Sequence, residues 1–167
     1  DLEIESARGI GTTVRLIFPP APESSIAPDV RFDASLPRPA HALRILVVDD
    51  DPLVIESLRE ILQGDGHIVA AADGGQSGID AFIAAQKQGT PFAIVITDLG
   101  MPYVDGRKVA AAIRAASPAT PVVLLTGWGQ RLMAENDVPS EVTRVLSKPP
   151  KLQELRATLA DLADGAR

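Results

Sequence analysis

The chain has 167 residues, 46% of them apolar, a formal net charge of -6, a pI near 4.9 and no cysteine. That suffices for one domain of ordinary size plus an appendage, with apolar residues enough for a real core. The acidic balance argues against nucleic acid or an anionic membrane as partner, no run reaches the ~18 to 20 apolar residues of a membrane span, and nothing suggests a secreted disulfide scaffold. With no signal segment at the start, cytoplasm is the expected compartment, and any membrane anchor is left to a parent chain.

Residues 1–18 read as a β-hairpin, with Leu2 and Ile4 on one strand, Val14, Leu16 and Phe18 on the other, and Ser6 to Gly11 as the turn. Two strands alone rarely stand up in water, so this hairpin is expected to belong to a larger sheet. Asp1 is no initiator residue, and the chain reads as a fragment of a longer protein. Residues 19–43 carry Pro19, Pro20, Pro22, Pro28, Pro37 and Pro39 with little periodicity, the mark of a semi-extended linker. At ~3.1 Å per residue such a segment spans up to roughly 75 Å.

From Arg44 onward, residues 44–167, short apolar runs alternate with helical patterns, which predicts an α/β fold: a doubly wound, five-stranded parallel sheet with crossover helices. The predicted strands are Arg44 to Val48, Ile68 to Ala71, Ala93 to Thr97, Pro121 to Leu125 and Val142 to Ser147. Asp51 followed by Pro52 reads as an N-cap with proline at the first helical position, and Val54, Leu58, Ile61 and Leu62 give that helix its buried stripe. After Asp73-Gly-Gly75 a second helix turns Ile79, Phe82 and Ile83 inward, Gly106 to Ala116 is a third, and Leu152, Leu155, Leu159 and Leu162 mark the last. A further helix falls within the irregular stretch Gly127 to Pro139.

Four of these runs end in residues able to handle phosphate: Asp49 and Asp50 after the first, Asp98 after the third, Thr126 after the fourth, Lys148 after the fifth. In an open α/β sheet the carboxyl ends of parallel strands line one crevice, so these side chains are expected to meet. Two carboxylates ~4 Å apart repel by roughly 4 kcal/mol at an effective dielectric near 20, so the crevice favours a proton or a bound cation. Oxygen ligands without nearby Cys or His suit Mg²⁺. Asp51 is expected to act only as a cap, His41 and His67 as ordinary polar residues, and Trp128 as a surface residue and natural fluorescence reporter.

The motifs Ile45-Leu-Val-Val-Asp-Asp-Asp51, Asp98-Leu-Gly-Met-Pro102 with Asp105-Gly106, Leu125-Thr-Gly127 and Ser147-Lys-Pro149 together resemble the receiver domain of two-component response regulators, over roughly three quarters of the chain. The resemblance implies a flavodoxin-like fold with strand order 2-1-3-4-5, counted from the strand at Arg44. It implies Asp98 as the nucleophile that takes a phosphoryl group from phosphohistidine, on a histidine kinase or a histidine phosphotransfer protein. Lys148 and Thr126 would contact that group, and Mg²⁺ would be held by Asp49, Asp50, Asp98 and the carbonyl of Gly100. A Lys148-Pro149 cis bond is also implied. Val145 stands where family members often carry an aromatic switch residue, so an aromatic rotamer swing is not expected here.

The opening, Leu2 to Thr13 followed by Val14 to Pro19, resembles the final hairpin of the histidine-kinase ATP-binding domain, with its Gly-x-Gly-Thr turn at Gly9 to Thr12. Placed before a Pro-rich linker and a receiver, it implies the tail of a hybrid sensor histidine kinase. The kinase's catalytic Asn box, adenine pocket and phosphoacceptor helix are not in this sequence, so the segment itself is expected not to bind ATP. Two alternatives compete: a pseudo-receiver that serves only for docking, and an aspartyl-phosphate hydrolase of the haloacid-dehalogenase type, suggested by Asp49-x-Asp51, with Asp49 as nucleophile. Pro52 directly after Asp51 weighs against the second.

Overall fold

The computed structural model describes residues 2–7, 9, 11–17, 42–127 and 138–165. Linker residues 19–41, Trp128 and most of the expected helix between Gly127 and Pro139 lie outside them. The chain divides into two units, Asp1–Ala34 and Ser35–Arg167.

The first unit contains an antiparallel hairpin of β1 (Leu2–Ala7) and β2 (Gly11–Leu16). Alternation sorts its side chains by face. Leu2 pairs with Leu16 and Ile4 with Val14 on one face, while Glu3 pairs with Arg15 on the other, where their side chains form an ion pair of 2.9 Å. The strands run one residue further into the expected turn than Ser6, and the Ser6 and Thr12 hydroxyls hydrogen-bond across them at 2.9 Å. All four apolar side chains are more than half exposed.

The second unit contains β3 (Arg44–Val48), α1 (Pro52–Gly64), β4 (Ile68–Ala72), α2 (Gly75–Lys87), β5 (Ile94–Asp98), α3 (Gly106–Ala116), β6 (Val122–Thr126), β7 (Arg144–Ser147) and α4 (Leu152–Gly165). The five strands form one parallel sheet in the order β4-β3-β5-β6-β7, which is 2-1-3-4-5 counted from Arg44, as expected. The first strand has the predicted bounds, and the other four differ from theirs by one or two residues. Pro121 has no N–H to give a ladder and contributes only its carbonyl, to Val95 N, whereas Asp98 still pairs with Leu125.

Period-two alternation sends successive strand residues to opposite faces and so makes two cores. Ile45, Val47, Ile94, Ile96, Val123 and Leu125 pack against Leu58 and Leu62 of α1 and Leu155 and Leu159 of α4. Leu46, Val48, Val95 and Val122 pack against Phe82 of α2 and Val109 and Ile113 of α3. Asp51 caps α1 by accepting from Leu53 N at 2.9 Å, with Pro52 leading the helix. In α2 the buried stripe runs Gly75, Gly78, Phe82 and Ala85, which leaves Ile83 on the flank, 37% exposed, not inward as its sequence suggested.

Two tertiary ties had no signal in the sequence. Asp65, at the end of α1, accepts both arms of the Arg156 guanidinium from α4 at 2.7 Å each, with the aspartate side chain 3% exposed. His67 is buried, and its Nδ1 accepts the Leu43 N–H at 3.2 Å, so it fixes the point where the chain enters the sheet. That replaces its expected role as an ordinary polar residue.

Candidate functional site

Parallel register brings the predicted residues to one edge. Val48 pairs with Thr97, Asp98 with Leu125, and Thr126 with Ser147, so Asp49, Asp98, Thr126 and Lys148 follow or end four adjacent strands of the sheet. Backbone bonds lock the edge: Leu99 N donates to Leu125 O and Lys148 N to Thr126 O, both at 3.0 Å.

Lys148 Nζ sits between two buried carboxylates, 2.6 Å from Asp49 Oδ2 and 2.8 Å from Asp98 Oδ1. Each aspartate gives its other oxygen to a backbone amide: Asp49 Oδ1 accepts from Asp51 N at 3.0 Å, and Asp98 Oδ2 from Gly100 N at 2.9 Å. Both carboxylates are thereby fixed in orientation. Burial, the largest single influence on Lys148, pulls its pKa down, but hydrogen bonds and charge from Asp49 and Asp98 together outweigh it and leave the ammonium above its ordinary range. Lys148 is therefore a permanent cation near neutral pH.

Asp50 joins from the exposed rim, and oxygen atoms of Asp49, Asp50 and Asp98 lie within 4.8 Å of one another. Three converging hard oxygen donors fit a small divalent cation of the Mg²⁺ type. Thr126 is buried at the end of β6, one residue past the partner of Asp98. Gly127 has open space where a Cβ would stand, among the described residues. Gly106 has none, since a Cβ there would come within 2.2 Å of the Asp98 carbonyl oxygen. The Lys148-Pro149 bond is cis. Val145 is buried against Leu124, Leu99 and Val142, a packed aliphatic where an aromatic was not expected to swing.

Sequence reasoning passed over Tyr103, in the loop after β5. It has φ of 64° and is 96% exposed. Only the residue's place one step after Met101-Pro102 hinted at it.

A doubly wound parallel sheet whose carboxyl edge gathers three aspartates and one lysine defines a class: α/β signalling domains that accept phosphoryl groups. The model of the response regulator receiver domain matches residues 45–160, and the chain belongs to that family. It is thus a receiver of two-component signal transduction, a domain that accepts a phosphoryl group on an aspartate with Mg²⁺ bound at an acidic pocket.

Among relatives, the virulence sensor protein BvgS of Bordetella bronchiseptica is 36% identical over 71% of this chain, and the response regulator MprA of Mycolicibacterium vanbaalenii 35% identical over 72%. The match spans 10% of the first protein's length and 50% of the second's. Among solved structures, the response regulator TrrA of Thermotoga maritima, in complex with Mg²⁺-BeF, is 30% identical, covers 72% of this chain and 98% of its own, with a TM-score of 0.63. The chemotaxis protein CheY4 of Vibrio cholerae is 27% identical over 73% of this chain and 99% of its own, with a TM-score of 0.62. Among the described residues no helix is long and apolar enough to cross a membrane.

Proposed function

We propose that Asp98 is the phosphoacceptor and that the chain is the C-terminal receiver of a hybrid sensor histidine kinase. The observation that carries the acceptor assignment is the Lys148 ammonium bridging Asp49 and Asp98 beside a three-carboxylate cluster. An Asp98 carboxylate oxygen forms the P–O bond as the P–N bond to a phosphohistidine breaks, and the imidazole nitrogen keeps the electron pair and then takes a proton. The transferring group spreads charge over its equatorial oxygens, so position and positive charge are what the site must provide.

Lys148 supplies one such charge from a place already fixed by two hydrogen bonds. Asp49, Asp50, Asp98 and the Gly100 carbonyl are the residues that would hold Mg²⁺, which when bound supplies further positive charge to the phosphoryl oxygens. Thr126 offers a hydroxyl at the neighbouring strand end and is the residue we assign to contact the phosphoryl group and draw its loop inward. Gly127 leaves room for the donor.

The donor is a phosphohistidine, on the parent kinase or on a separate phosphotransfer protein. Support for the hybrid arrangement is twofold. The likeness to a sensor protein extends over the receiver, and ahead of it the strands Leu2–Ala7 and Gly11–Leu16 form a hairpin whose apolar face suits a larger sheet. In this reading residues 1–18 end the kinase's ATP-binding domain, 19–43 are the linker and 44–167 the receiver, and the compartment is cytoplasmic.

The test is to incubate the chain with Mg²⁺ and acetyl phosphate and map the label. Label on Asp98, lost in Asp98→Asn, supports the assignment. Label on Asp49 would instead favour the hydrolase, and no label the docking module.

A further inference from the structure

We infer that Tyr103 is a docking anchor for the protein that brings the phosphohistidine, an inference that rests on Asp98 being the acceptor. Three observations converge on this residue. Its backbone is left-handed, with φ of 64°, a region that bulky side chains rarely enter. Val104 N donates to Pro102 O at 2.7 Å across it, so Tyr103 is the centre of a three-residue γ-turn of the rare positive-φ kind. The residue is 96% exposed. No packing of the ring within the described structure repays that conformation, and strained residues of this sort cluster at recognition sites.

The loop is built to hold the ring out while its base stays still. Met101 is buried, Gly106 N donates to Leu99 O at 3.1 Å and closes the loop, and Lys108 Nζ donates to the Tyr103 carbonyl at 3.1 Å. The tip is thus rigid and aimed by backbone geometry, not by contacts of the phenol.

Position supplies the partner. Gly106 abuts the Asp98 backbone, and Tyr103 is three positions away from it along the chain, a reach of at most ~11 Å. Asp98 itself is 7% exposed, so a histidine borne on a protein delivers phosphorus only if that protein's surface seats on the rim of the crevice. An interface burying roughly 600 to 800 Å² on each side has a radius of about 14 to 16 Å, so one centred on Asp98 reaches Tyr103. A tyrosine held in place offers large contact area with little rotamer entropy to lose, which is why such residues recur as interface hot spots.

The experiment compares a protein donor with a small one. The probes are the histidine kinases and phosphotransfer proteins encoded in the same genome, each loaded with ³²P on its histidine, and acetyl phosphate. For the fastest protein donor, Tyr103→Ala and Tyr103→Gly should lower kcat/KM for transfer about tenfold or more, mainly through KM, while Tyr103→Phe stays close to wild type. Uptake from acetyl phosphate should stay within about twofold in all three. The glycine variant separates ring from backbone, because it fits the left-handed turn and lacks only the phenol.

Unchanged transfer from the protein donor in both truncations would overturn the inference. So would a parallel fall with acetyl phosphate, which would make Tyr103 a shaper of the pocket, or a wild-type chain that takes label from acetyl phosphate and from none of the proteins. Failure of the acceptor assignment reads differently: wild type and Asp98→Asn would then label alike, or not at all, with acetyl phosphate.

Discussion

Replacing Lys148 with methionine keeps an unbranched chain only one atom shorter and removes its charge. In the native pocket the ammonium lies 2.6 Å from Asp49 and 2.8 Å from Asp98, whose side chains are 0% and 10% exposed. Without it, carboxylate oxygens within 4.8 Å of one another repel by at least ~3 kcal/mol at an effective dielectric near 20. Lost charge-assisted hydrogen bonds add to this, while rotamer entropy of roughly 2 kcal/mol and the desolvation of the lysine are recovered. The net deficit should be about 3 kcal/mol, a large share of the ~5 to 15 kcal/mol of an ordinary domain.

Urea denaturation near neutral pH and low salt measures it. Two further signatures separate electrostatics from lost packing. Millimolar Mg²⁺ should raise the midpoint of Lys148→Met more than that of wild type, because the cation binds only the folded pocket and finds one more uncompensated negative charge there. In a double-mutant cycle, Asp50→Asn should recover part of the deficit by removing one of the repelling charges. A deficit under about 1 kcal/mol, or equal Mg²⁺ increments in both proteins, would refute the reasoning.

Arg156→Met should cost roughly 3 kcal/mol, because it strands the Asp65 carboxylate, 3% exposed, without its bidentate partner; in a double-mutant cycle Asp65→Asn should restore much of that. Gly106→Ala should destabilise by about 2 kcal/mol or more and slow labelling by acetyl phosphate, since the new methyl meets the Asp98 carbonyl at 2.2 Å. Tyr103→Gly should do the reverse and stabilise by about 1 kcal/mol, read as a higher Tm, by releasing a left-handed backbone from a side chain. Burial holds His67 below its ordinary value of 6.5, against the opposing pull of Asp65, so its contribution to stability is complete above pH 6.5 and is lost as pH falls through the window beneath. His67→Gln should therefore show a flatter fall in unfolding free energy on acidification than wild type, and a parallel fall would contradict the buried neutral imidazole.

What could be read in advance depended on periodicity and chain punctuation. Four apolar runs ending in Asp, Thr or Lys placed the crevice, because parallel strands share an edge whatever their separation in sequence. The Asp51-Pro52 cap and the last helix's leucines were equally local, and the structure keeps both. The residues that escaped have causes without local pattern. Asp65 and Arg156 are 91 positions apart and meet only because α1 and α4 share a face of the sheet. Ile83 looked apolar and inward, but α2 rests on a narrow stripe of small residues around Phe82, so its flank stays wet. Tyr103 could not be read as strained, because nothing in a Pro-Tyr-Val sequence demands a positive φ.

The ammonium between Asp49 and Asp98 also bears on how firmly the crevice grips a visitor. A resident positive charge reduces the pocket from three net negative charges to two, which weakens the pull on any divalent ion and keeps its exchange quick. A tighter hold would suit a permanent structural metal. Loose tenure suits a relay that must be loaded, emptied and made ready again for each message.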